Sequence, residues 1–339
     1  MSTLFRSSKT QQLGDVRARP NFFIIGAPKC GTSSLTEYLR PHPSIFLSVK
    51  EPHYFDIDYA KCEKLTLSFY LSLFSKADPH IHKAIGEGSV SYLFSKVAVP
   101  EILKFNPDAK FIVMLRNPID MIRSMHSFLY FQGVETVHDF EAAWRLEEGR
   151  RNGKSIPVTC WEPKQLFYSE WGKLGEQIER LFSTARRDNT KIILFDDFVA
   201  NTRSIYEDLL AFLEVPADAR QDFPVVNENR EVRWPWLQQS LGFSINYFRQ
   251  LRSVSRLSLG FGKGWFQRLL LMNSISAPRG PISPALCAEL AGFFQADVAK
   301  LSRLLGRDLS HWVSNHSEPA GSPGNSQIHA TPTNSAQVQ

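Results

Sequence analysis

No apolar run in these 339 residues reaches the roughly 18–20 that a membrane span requires. The N-terminus lacks the charged-then-apolar pattern and small-residue cleavage site of a secretory signal. Cysteine is scarce, and Cys30, Cys62, Cys160 and Cys287 are too scattered to form a metal-ligand pairing. Reduced thiols in a cytosol fit that usage. No basic run marks a nucleic-acid surface: 39 Lys and Arg against 34 Asp and Glu leave a net charge of +5. That balance, with a pI near 9.0, permits an anionic ligand without requiring one. Internal repeats are absent as well. What remains is 43% hydrophobic and 22% charged, the composition of a globular chain with ample core. The length allows one large α/β domain or two small ones.

The richest stretch is Asn21–Leu35, Asn-Phe-Phe-Ile-Ile-Gly-Ala-Pro-Lys-Cys-Gly-Thr-Ser-Ser-Leu. Phe22 to Ile25 is the length of a buried strand and stops at Gly26. Gly26, Pro28 and Gly31 are residues of a tight loop. Leu35, Tyr38 and Leu39 then follow at the spacing of a helix face. Strand, glycine loop and helix N-terminus together form an anion site, with Lys29, Thr32, Ser33 and Ser34 as added donors. A Walker A loop reads G-x-x-x-x-G-K-[ST]. Gly26 and Gly31 keep its glycine spacing, but Thr32 follows Gly31 and the lysine has moved back to Lys29. That displacement argues for transfer of a group other than a nucleotide γ-phosphate. The bland alternative is an ordinary strand–helix turn.

Three further stretches carry chemistry. Ile45 to Val49 reads as a strand running into Lys50-Glu51-Pro52-His53-Tyr54-Phe55-Asp56, where Glu51 and His53 can exchange protons beside a cation. A strand end is where α/β active sites form, although a solvated charged turn would look similar. Lys110 to Leu115 is a second buried strand, ending in Arg116-Asn117-Pro118, with Ser124 on the helix that follows. A guanidinium fork and a hydroxyl suit a phosphate monoester, and a structural arginine is the alternative. Lys191 to Asp196 reads as a strand ending in acid, which mimics the Mg²⁺-binding strand of a phosphotransferase. Helices are expected over 64–75, 138–150, 163–184, 202–213 and 283–306. A short strand is expected over Lys83–Glu87, ahead of Gly88-Ser89-Val90-Ser91-Tyr92.

These motifs resemble those of sulfotransferases that use 3′-phosphoadenosine 5′-phosphosulfate (PAPS). Gly-Ala-Pro-Lys-Cys-Gly-Thr-Ser-Ser-Leu is similar to the family's 5′-phosphosulfate loop. Arg116 to Ser124 keeps the eight-residue spacing of its 3′-phosphate motif, with Asn117 in place of Asp and Met121 where Arg is frequent. Glu51, His53 and Asp56 match the Glu-x-His-Phe-Phe-Asp segment of glycan sulfotransferases, notably the heparan sulfate 3-O type, with Tyr54 for the first Phe. There the glutamate is the general base and the histidine and aspartate support it. Small-molecule cytosolic members use a histidine base instead, so His53 is the fallback. Gly88 and Ser89 stand where glycan enzymes carry Lys-Thr, a lost cation that leaves the acceptor type open.

The resemblance implies a P-loop-NTPase-like α/β sandwich with a central parallel sheet of four to five strands. It covers roughly 21–312, between a flexible arm over 1–20 and a disordered tail over 313–339. Residues 220–284 read as a lid or acceptor-side insertion, with Lys263 as a candidate basic loop residue. The implied cofactor-binding residues are Lys29, Cys30, Gly31, Thr32, Ser33, Ser34, Arg116 and Ser124. The implied catalytic residues are Glu51, Lys29 and His53. PAPS is the expected co-substrate with no metal, and the expected acceptor is a glycan, lipid or small-molecule hydroxyl, or an amine. The expected setting is a bacterial cytoplasm, with no nucleic-acid partner. A P-loop kinase using ATP and Mg²⁺ through Asp196 is the alternative, and a non-catalytic nucleotide binder is a third.

Overall fold

The computed structural model describes residues 18–59, 65–224, 230–232, 274–276 and 280–314. Strand β1 (Phe22–Gly26) is buried at every position, as a strand covered on both faces must be. The chain turns into helix α1 (Thr32–Leu39) and then strand β2 (Ile45–Leu47). Helix α2 (Leu67–Ser72) precedes β3 (Ala84–Gly88), and α3 (Ala98–Phe105) leads into β4 (Lys110–Leu115). A helical stretch follows, comprising α4 (Pro118–Phe131), α5 (Phe140–Arg145), α6 (Glu147–Arg151), α7 (Tyr168–Gly172) and α8 (Leu174–Phe182). Strand β5 (Thr190–Leu194) runs directly into α9 (Phe195–Ala200) and α10 (Thr202–Phe212). Strands β6 (Arg230–Val232) and β7 (Ser274–Ser276) pair antiparallel as a separate small sheet. The described chain closes with α11 (Pro284–Leu305) and α12 (His311–Ser314).

The main sheet has five strands in the order β2-β3-β1-β4-β5, all parallel. This is the P-loop-NTPase-like layered architecture expected from the sequence. Phe22 lies opposite Gly86 on one side and Lys110 on the other. A Cβ at Gly86 would come within 2.5 Å of the Phe22 ring, so glycine is what lets β1 and β3 close at that register. Phe23 meets Phe55 edge to face, at 5.9 Å between centroids. Phe55 in turn touches Tyr70, Tyr92 and Phe105. Aromatic pairs of this kind contribute about 0.5–1.5 kcal/mol beyond their buried area. They tie the loop after β2 to the sheet.

Several elements depart from the periodicity reading. The strand expected through Asp196 stops at Leu194, and Asp196 and Asp197 occupy the first turn of α9. Acidic side chains favour that position because the helix dipole is positive there. The helix expected over 163–184 breaks into a 3₁₀ turn (Pro163–Leu166), α7 and α8. The break is held from α11, where the Asp297 carboxylate accepts from Gly175 N–H (2.7 Å) and Glu176 N–H (2.9 Å). The helix expected over 138–150 divides at Leu146. Ala18 and Pro20, at the end of the expected arm, are already buried. Residues 1–17, most of 220–284 including Lys263, and the tail beyond 314 lie outside the described residues. Among the described residues, no helix is long and apolar enough to cross a membrane.

Asn117 ties the start of α4 to α12. Its Oδ1 caps α4 by accepting from Ile119 N–H at 2.9 Å, and its Nδ2 donates to the Trp312 carbonyl at 2.9 Å. An aspartate there could cap but could not donate. Asn117→Asp is therefore expected to lower unfolding stability by about 1–3 kcal/mol in urea titration. An unchanged midpoint would mean that this bond does not hold the C-terminal segment.

Candidate active site

Parallel strands bring their C-terminal ends to one edge of a sheet, and crevices form there where the strand order reverses. Here β1 lies between β3 and β4, so its end is at the centre. Read across that edge, the strand ends lead into Lys50-Glu51 (β2), Gly88-Ser89 (β3), the Ala27–Gly31 loop (β1), Arg116 (β4) and Phe195 (β5). The stretches singled out from the sequence thus lie side by side.

The loop after β1 is set by its backbone. Gly26 (φ 147°) has no room for a Cβ, which would lie 2.8 Å from the Val90 carbonyl and 2.9 Å from Leu93 Cβ. Gly31 (φ 91°) is the N-cap of α1, and a Cβ there would press on Met114 and Phe195 at 3.2 Å. Lys29 also takes a left-handed conformation (φ 61°), and its ammonium lies 4.4 Å from the centre of the Phe128 ring. Non-glycine residues held in that region carry strain and cluster at functional sites. Cys30 is fully buried, with its thiol donating to the Pro28 carbonyl at 3.3 Å. Burial pushes that thiol up to about 12, against the pull of Arg116 and Lys29. The side chain of Cys30 therefore belongs to the core.

The end of β2 carries a charged chain of contacts. His53 Nε2 lies 3.1 Å from Glu51 Oε2, and Nδ1 lies 2.8 Å from Asp56 Oδ2 and 3.0 Å from Ser91 Oγ. Ser91 also donates to Asp56. Burial alone would lower the His53 pKa, but hydrogen bonds and charge from Asp56 and Glu51 outweigh it and raise the imidazole to about 10. His53 is thus an imidazolium at neutral pH, clamped between two carboxylates. Lys50 turns the other way, donating to Thr32 Oγ1 at 3.0 Å and Ser33 Oγ at 3.4 Å.

A buried carboxylate supports this loop from β3. Glu87 accepts from Tyr92 Oη (2.8 Å), Ser89 Oγ (2.8 Å) and Tyr70 Oη (3.1 Å). Burial raises its pKa to about 7, despite those three donors. Ser89 Oγ accepts from His53 N–H, and Tyr92 Oη accepts from the N–H groups of Tyr54 and Phe55. Glu87 therefore sets the backbone on which His53 is carried.

Across the loop, Arg116 stacks on the Phe195 ring at 4.6 Å and faces Asp120 at 3.7 Å. Ser124 is buried on α4. Arg123 donates to the Gly280 carbonyl at 2.6 Å. Asp196 receives the Trp312 indole N–H at 3.3 Å, and Asp197 pairs with Arg307. Among the described residues, no group of three or more His, Cys, Asp or Glu could hold a metal ion.

Sequence reasoning overlooked Lys50, Glu87 and Phe195 as site residues. Lys50 was legible only as a charge beside Glu51, and Glu87 only as the end of a strand. Phe195 gives no signal in sequence, because its contacts with Gly31 and Arg116 exist only once β1, β4 and β5 are aligned.

A sulfotransferase-domain family model matches residues 19–231. Mouse carbohydrate sulfotransferase 15 is 32% identical over 158 residues, covering 34% of this chain and 28% of that protein. Human heparan sulfate glucosamine 3-O-sulfotransferase 6 is 36% identical over 104 residues, covering 30% of this chain and 28% of that protein. The match thus spans little more than a quarter of these curated relatives. The crystal structure of a sulfotransferase from Alicyclobacillus acidocaldarius is similar at a TM-score of 0.64 and 29% identity, over 87% of this chain and 99% of that one.

The raised His53 pKa has a thermodynamic consequence. A folded-state value above the unfolded one stabilises the protein fully below about pH 6.5, and that contribution is lost as pH rises through about 10. The melting-temperature gap between wild type and His53→Asn is expected to be largest near pH 6 and to shrink toward pH 10. A gap independent of pH would show that the imidazolium is not held by Glu51 and Asp56.

Proposed function

The chain belongs to the sulfotransferase-domain family, and from that membership we propose that it moves a sulfuryl group from PAPS to an acceptor hydroxyl. The observation that carries this reading is the row of strand ends, with an anion loop flanked by Arg116 on one side and Glu51 on the other. The residues fit such a donor. Two left-handed positions, Lys29 and Gly31, shape the loop at the N-terminus of α1, where backbone N–H groups and hydroxyls converge on negative charge. Arg116, lying over the Phe195 ring, carries a planar guanidinium fork of the kind that binds phosphate.

In this reading Thr32, Ser33, Ser34 and the Gly31 amide hold the 5′-phosphosulfate, with the Cys30 backbone completing the loop. Arg116 and Ser124 hold the 3′-phosphate. Glu51 accepts the acceptor's proton as its oxygen bonds to sulfur, and the bond from sulfur to the 5′-phosphate oxygen breaks. Lys29 balances the charge on that leaving oxygen, and 3′-phosphoadenosine 5′-phosphate (PAP) departs. His53, already protonated, orients Glu51 rather than competing with it as base. Positioning and fixed charge supply the catalysis, as in other in-line displacements.

The acceptor we favour is a carbohydrate hydroxyl, following the names of the two curated relatives; lipid and small-molecule hydroxyls and amines are the other classes to screen. The kinase alternative loses its basis, since Asp196 heads a helix and is engaged by Trp312.

Calorimetry with PAP, ADP and ATP–Mg²⁺ tests the donor. Wild type is expected to prefer PAP. Arg116→Ala should lose about 10–100-fold of that affinity, the scale of a charge-assisted hydrogen bond, and should leave adenosine 5′-phosphosulfate, which lacks the 3′-phosphate, unaffected. Equal loss for both ligands would remove Arg116 from the 3′-phosphate. For Glu51→Gln, transfer in an acceptor screen should fall by about 10²–10⁴-fold with PAP affinity unchanged. Weakened PAP binding would make Glu51 a structural residue instead.

A further inference from the structure

Lys50 is oddly placed for a lysine. Its stem runs past the end of β3, where Cε lies 3.6 Å from the position of a Cβ on Gly88. Among the described residues its ammonium makes no ion pair, and its hydrogen bonds go to the hydroxyls of Thr32 and Ser33. These are the first two residues of α1. A cation at a helix N-terminus faces the positive end of the dipole, where anions are favoured. Burial adds to this and holds the ammonium below the ordinary lysine pKa, partly offset by Glu51 and Glu37. Such an arrangement becomes favourable when an anion enters that both the helix end and the ammonium attract.

The next residue fixes which anion. Glu51 turns to His53 while Lys50 turns to the loop, so this dipeptide bridges the donor loop and the base. In an in-line displacement, the group lying between donor loop and base is the one being transferred. Building on the PAPS reading above, we infer that Lys50 is a second donor-side cation that binds the transferring sulfuryl group across Thr32 and Ser33, while Lys29 serves the leaving phosphate oxygen. Gly88 lies beside this stem, since a Cβ there would be in ordinary contact with Lys50 Cε at 3.6 Å.

The test compares PAPS with PAP, which keeps both phosphates and lacks the sulfuryl group. For Lys50→Gln, PAPS affinity by calorimetry is expected to fall about 10-fold or more while PAP affinity holds within about threefold, as expected for loss of one charge-assisted contact. Single-turnover transfer from PAPS to water, which needs no acceptor, should slow on the order of 10²-fold. Lys50→Arg should retain most of the PAPS affinity. The double variant Lys50→Ala with Gly88→Lys, which returns an ammonium from the neighbouring strand, should bind PAPS more tightly than Lys50→Ala alone. A Lys50→Gln protein that binds and turns over PAPS as wild type does would overturn the inference. So would equal losses for PAPS and PAP, which would assign Lys50 to the 5′-phosphate or to loop folding. Failure of wild type to bind either nucleotide would instead remove the sulfotransferase reading itself.

Discussion

The parallel pairing of β1 between β3 and β4 is the constraint on which the site depends. Parallel hydrogen bonding leaves no choice about which end of each strand meets its neighbours' ends. Residues from five separate parts of the chain are thereby delivered to one edge. Close approach at Phe22 and Gly86, and the absence of a side chain at Gly26, let β1 sit deep enough to place its loop in the middle of that edge. Had β1 been an outer strand, the same loop would have had a functional neighbour on one side only.

Charge on this edge is sorted by the partners the side chains turn to. Lys29, Lys50 and Arg116 gather around the loop after β1, while Glu51, His53 and Asp56 form a connected series after β2. The division falls between two consecutive residues, Lys50 and Glu51, whose side chains turn to opposite partners. Behind them, Glu87 accepts three hydroxyl hydrogen bonds and governs the backbone of residues 53–55 through Ser89 and Tyr92. Buried polar networks of this type are costly when incomplete and specific when satisfied, which suits a loop that holds His53 between Glu51 and Asp56.

The C-terminal helices brace the same edge from outside. Trp312 receives Asn117 through its carbonyl and gives its indole N–H to Asp196. Arg307 pairs with Asp197, and Asp297 caps α8. The Asn117 that departs from the family's Asp-Pro pattern is thus also the donor that ties α4 to α12.

By itself, the sequence determined the strand–loop–helix units, because a four- or five-residue apolar run ending in Gly26 or Arg116 has few other folded outcomes. It also carried the turn and the left-handed N-cap of the first loop, since the glycines at 26 and 31 act through local backbone geometry. Helix breaks were not legible at Gly172–Leu174, because the carboxylate that caps α8 comes from Asp297, more than a hundred residues away. Nor was the extent of β5 readable, since apolar Phe195 continues the strand pattern yet heads a helix and packs on Arg116. The protonation of His53, the hub at Glu87 and the direction of Lys50 were decided only by tertiary structure. Each depends on burial and on partners brought from other strands, and neither quantity has a local signature in the chain.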